Sequence, residues 1–155
     1  MALEGIGIVG YPTNIGQAIT FSGGIVQTPP ASGAGRGLVV QLGKLTGLNL
    51  NSVAATTIFT TPASGFTRCV VLNVVVDNYS IAATTASVSF GSSGTPTDWA
   101  ATATNANAAT GKFQLLTPTA ALSPTYGTGI AFVANVTIGQ GSAATADVTV
   151  LGYYE

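Results

Sequence analysis

Phe66-Thr67-Arg68-Cys69-Val70-Val71-Leu72-Asn73-Val74-Val75-Val76-Asp77 is the longest apolar-rich run of the chain, and its reading decides the fold. Valines crowd its centre. Branching at Cβ restricts χ1 in a helix and suits a pleated sheet, so the run reads as a strand. At period two, Phe66, Arg68, Val70, Leu72, Val74 and Val76 share one face, and Thr67, Cys69, Val71, Asn73, Val75 and Asp77 share the other. Both faces are apolar at the centre, which predicts a strand buried on two sides. The most apolar window, Val70 to Val76, is interrupted by Asn73. It falls far short of the roughly 20 residues that a membrane span requires, and no membrane partner is expected.

On either side of this run the same grammar recurs. Leu38 to Leu42 is a short strand, and Ala55 to Thr61 is a Thr-rich one ended by Pro62. Ala86, Val88 and Phe90 alternate with Thr85, Ser87 and Ser89 up to Gly91-Ser92-Ser93-Gly94, the pattern of a half-exposed strand before a turn. Thr95 to Gly111 reads mainly as a long loop, with one helical turn possible at Asp98-Trp99-Ala100-Ala101. Lys112 to Leu116 is another short strand. Ile130, Phe132, Ala134, Val136 and Ile138 then alternate with smaller or polar residues, as do Ala146, Val148, Val150 and Gly152. No segment carries a 3.6-residue period. An all-β antiparallel sandwich over residues 38–155 is the expected fold class.

Residues 1–37 obey other rules. Nine glycines and Pro12, Pro29 and Pro30 punctuate them, leaving only short apolar pieces such as Ile6-Gly7-Ile8-Val9, Ala18-Ile19-Thr20-Phe21 and Gly24-Ile25-Val26. These are too broken to close a core and too apolar for an ordinary disordered tail. An extended Gly/Pro-rich N-terminal arm that becomes ordered on another surface satisfies both facts. Edge strands packed on the chain's own domain are the alternative. On the arm reading, Ile6, Ile8, Val9, Tyr11, Ile19, Phe21, Ile25 and Val26 are candidate partner contacts. Arg36 and Lys44 offer trypsin sites at the junction, whereas Arg68 is expected to be shielded inside the longest strand.

Charge sets the function class. Four basic and five acidic residues are spread along 155 positions, and there is no histidine. Most enzymes need clustered acids, bases or metal ligands, and nucleic-acid binders need a basic surface. Neither is assembled from this set, so no enzyme activity, cofactor, metal or nucleic acid is expected. Asp77, Asp98 and Asp147 would have to converge in space to form a glycosidase-like pair, and their spacing gives no sign of it. A net charge of -1 also offers little repulsion between copies, which favours a homo-oligomer.

Single motifs add little. Gly5-Ile6-Gly7-Ile8-Val9-Gly10 matches G-x-G-x-x-G, but four residues precede it and Tyr11-Pro12 follows, so the strand and helix that a dinucleotide needs are missing. Cys69 is the single cysteine and sits in the strand-like run, where it reads as a small buried hydrophobe. Trp99 is a candidate partner anchor, since aromatic residues dominate interface energetics; the other reading is a lid on the end of the sandwich. The first residues lack a basic, apolar secretory leader, so synthesis in the cytoplasm is expected.

From Leu45 to Tyr154 the chain resembles small β-sandwich virion proteins of tailed bacteriophages. The features are Ile58-Phe59-Thr60-Thr61-Pro62, Gly65 before the Val-rich strand ending Val74-Val75-Val76-Asp77-Asn78, Val88-Ser89-Phe90-Gly91 ahead of Asp98-Trp99, and Ala146-Asp147-Val148-Thr149-Val150-Leu151-Gly152-Tyr153. The resemblance implies a jelly-roll-like sandwich, a trimer, and a place on the capsid exterior as a decoration (cement) protein bound to the major capsid protein. A head-fibre or tail-fibre module recognising a host surface receptor is the alternative it implies.

Overall fold

The structure, a computed structural model, describes residues 39–104, 109–119 and 124–155. These form eight strands and no helix: β1 (Val40–Asn49), β2 (Ala55–Thr60), β3 (Cys69–Asp77), β4 (Ser87–Ser92), β5 (Thr95–Thr104), β6 (Gln114–Leu116), β7 (Ala131–Ile138) and β8 (Thr145–Tyr154). They make two four-stranded sheets, ordered β1-β8-β3-β6 and β2-β7-β4-β5. Every pairing is antiparallel. β1 pairs with β8, β2 with β7, β3 with β6 and β4 with β5. The chain is thus one long ribbon doubled back at Ser93-Gly94 and wrapped until β8 also meets β3 and β7 also meets β4. The result is an antiparallel β-sandwich, as the alternation predicted.

One core lies between the sheets. Leu48, Val71, Val74, Val76, Val148 and Val150 enter it from the first sheet, and Ile58, Val88, Phe90, Trp99, Phe132 and Val136 from the second. Each such side chain contributes roughly 1.5–3 kcal/mol when fully buried. Aromatic rings meet edge to face along the second sheet: Trp99 lies 6.4 Å from Phe90 and 6.2 Å from Phe132, and Tyr126 lies 5.5 Å from Phe132.

β3 departs from strict alternation. Its register on β8 slips between Val71 and Asn73, and this bulge turns Cys69 and Val71 inward along with Val74 and Val76. Val70, Leu72 and Val75 are left half-buried on the outer side, so among the described residues β3 is buried on one side. β4 errs in the opposite sense. The expected half-exposed strand is buried on both faces, because it is central and its outward Ser87 and Ser89 are small. Asn135 Nδ2 donates to Ser89 Oγ at 3.2 Å, and Thr137 Oγ1 donates to the Ser87 carbonyl at 3.2 Å, closing over them.

Thr95–Thr104 is a strand where the sequence reading expected a loop with a helical turn. Pairing with β4 supplies the backbone partners that weak local propensity does not. Asp98 clamps the hairpin instead of opening a helix. Its carboxylate accepts from the Ser92 N–H at 3.0 Å, from Ser92 Oγ at 2.8 Å and from the Tyr126 hydroxyl at 2.8 Å. A Cβ at Gly91 would collide with Asp98 Oδ1 and the Thr95 carbonyl, so only glycine fits beneath this clamp. β1 also runs longer than expected and contains Lys44, which therefore does not lie in an open junction. Arg68 falls just outside β3 and is half exposed, with Nε and Nη2 donating to Glu155 Oε2 at 2.9 and 2.6 Å.

Candidate functional site

The chemistry-bearing residues are dispersed by the fold. Asp77 and Asp147 stand directly opposite each other across β3 and β8, while Asp98 belongs to the β4–β5 hairpin at the other end of the sandwich. Asp147 is engaged in holding structure: it accepts from the Gly47 N–H at 2.9 Å and from Asn78 Nδ2 at 3.3 Å, and Lys44 Nζ lies 3.9 Å away. Among the described residues no group of three or more Cys, Asp or Glu side chains is placed to hold a metal. Cys69 is buried, and burial pushes its thiol up to about 12, far from the thiolate that reactivity requires. Tyr126 is also raised, first by burial and then by its bond to Asp98. What these groups do chemically is fix turns and strand ends.

The structure places Trp99 in the core, not on the surface. It is fully buried, and its Nε1–H donates to the Val71 carbonyl at 3.0 Å. As a partner anchor it is unavailable, because its polar edge and both ring faces are already used inside the chain. Ile6, Ile8, Val9, Tyr11, Ile19, Phe21, Ile25 and Val26 lie outside the described residues.

Exposed apolar side chains instead gather at one end of the sandwich. The register brings the end of β1 beside the start of β8, the end of β3 and the start of β6. In the second sheet it brings together the start of β2, the end of β7, the start of β4 and the end of β5. The β1–β2, β3–β4, β5–β6 and β7–β8 connections therefore share that end. Each carries or borders an exposed apolar residue: Val53, Ile81, Phe113 and Ile138, with Phe113 70% exposed. The β1–β2, β3–β4 and β7–β8 connections are also tied to one another or to β8. Leu50 N–H donates to the Ala144 carbonyl at 2.9 Å, Gln140 N–H to the Leu50 carbonyl at 2.9 Å, and Ser80 N–H to the Thr145 carbonyl at 2.9 Å. Gln140 Oε1 accepts from the Thr85 and Ala86 N–H groups at 3.0 and 3.1 Å. These three connections are thus fixed by the fold itself.

Sequence reasoning did not find this set. The four residues lie in separate stretches, and even Ile138, which continues the alternation of Phe132, Ala134 and Val136, is left 52% exposed; only the strand order brings them to one end. Val39, at the mouth of β1, and Leu115, opposite Val75 on the edge strand β6, are exposed elsewhere. At the opposite end, where residue 39 enters β1, the Arg68–Glu155 pair and the Asp98 clamp give a more polar surface.

No protein-family model and no curated protein matches the chain. Among solved structures it is similar to a chain of the cyanophage Pam1 capsid asymmetric unit, at 18% identity and a TM-score of 0.53, over 89% of this chain and 99% of that one. It is also similar to a chain of the acid-stable capsid of Helicobacter pylori bacteriophage KHP30, at 19% identity and a TM-score of 0.48, over 75% of this chain and 91% of that one. With the cyanophage chain the likeness is one of fold, and it spans nearly the whole of that molecule.

Proposed function

We propose that this chain is a non-enzymatic structural protein of a phage particle, a capsid decoration (cement) protein on the outside of the shell. The observation that carries the reading is the fold shared with the cyanophage capsid chain across 99% of its length. The strand order β1-β8-β3-β6 facing β2-β7-β4-β5 supports a jelly roll. Scarce charge and an apolar loop end support a protein that works by packing against others. Residues 1–37 form the arm that grips the major capsid protein, and three sandwiches associate into a trimer, so that each trimer bridges neighbouring shell subunits. At about 25 cal/mol per Å² of apolar surface removed from water, a modest contact repeated over a shell opposes its separation substantially.

Purified particles test this directly. Mass spectrometry of the virion is expected to find the chain in stoichiometric proportion to the major capsid protein; its absence overturns the reading. Cleavage after Arg36 leaves all eight strands intact. The trimmed protein is expected to stay oligomeric but fail to rebind stripped particles, and rebinding with unchanged affinity would take the arm out of the mechanism. Attachment of the full chain should survive a rise from about 0.1 to about 1 M salt, because it does not depend on ion pairing.

A further inference from the structure

We draw no further inference here: the strongest candidate, the exposed apolar end of the sandwich bearing Val53, Ile81, Phe113 and Ile138, carries nothing because nothing in the structure shows what covers it.

Discussion

Trp99 on β5 donates its indole N–H to the carbonyl of Val71 on β3, 3.0 Å away, and so bonds one sheet to the other through the core. The acceptor is free for this because β3 slips on β8 just after Val71, and because β6 pairs only with Val74–Val76. The bulge and the tryptophan are one device: the backbone irregularity exposes a carbonyl, and the indole satisfies it. Trp99→Phe keeps most of the ring contact but strands that carbonyl in the core, and is expected to cost about 1–3 kcal/mol. Trp99→Ala should cost about 3–5 kcal/mol. Urea unfolding followed by circular dichroism measures both, and an unchanged midpoint for Trp99→Phe would mean that the bond contributes nothing.

The close approach of β8 and β3 gives a second expectation. A Cβ on Gly152 would run into the Val70 carbonyl and the end of the Leu42 side chain. Backbone cannot yield as a side-chain tip can, so Gly152→Ala should spread the sheet and destabilise by about 1–3 kcal/mol. Gly94→Ala, with open space around it, is the matched control and should shift the thermal midpoint little.

Asp98 carries the hairpin clamp. Asp98→Ala removes the acceptor of the Ser92 N–H, the Ser92 hydroxyl and the Tyr126 hydroxyl together. The loss should be about 3 kcal/mol, because partly buried donors are left unmatched. Tyr126→Phe takes away one of these bonds and should cost a fraction of that. A double-mutant cycle separates the coupling, and additive effects would show that the two residues act independently.

Alkaline pH should be the chain's weak side. Burial pushes Cys69 up to about 12, and burial first, with lesser help from Asp77 for Tyr79 and from Cys69 for Tyr154, pushes both tyrosines up to about 12. From their ordinary values of 9.0 and 10.0 upward, the unfolded chain releases these protons while the folded chain keeps them. Fewer protons on the unfolded state make stability fall as pH rises. The contribution is whole below pH about 9 and is lost on the way to about 12. With no histidine to titrate, the urea midpoint should be level from about pH 6 to 8.5 and then decline. A steep change between pH 6 and 8 would contradict this account.

What could be read from the residues alone follows from how local each signal is. β7 and β8 were legible because Phe132, Ala134 and Val136, and then Ala146, Val148 and Val150, alternate without interruption and all reach the core. β5 was not, since Thr95 to Thr104 has little apolar periodicity and owes its extension to β4. The relative exposure of β3 and β4 was inverted for a like reason. Burial of Ser87 and Ser89 depends on being central in a sheet, and half-exposure of Val70 and Val75 depends on their facing away from the second sheet of the described residues. The apolar end was invisible because residues 53, 81, 113 and 138 come to one end only through the strand order. Trp99 was offered as anchor or lid and is neither; a bonded position deep between sheets leaves no trace in its flanking residues.

The doubled ribbon also governs the order in which a copy can come into being. Among the described strands β1 is made first and its partner β8 last, so until β8 has emerged the chain can complete only the β4–β5 hairpin and the pairings that nest around it. The first sheet must wait for β8. Joining strands so far apart in the chain carries a large loop-closure entropy, and folding of such topologies is slow. Throughout that wait β1 lacks its partner β8 on a chain with few charges, the state most open to mispairing with a sister chain. Supply of the protein to any assembly is therefore set by how many chains finish this step before they meet each other, so production should favour low temperature and dilute synthesis over strong expression.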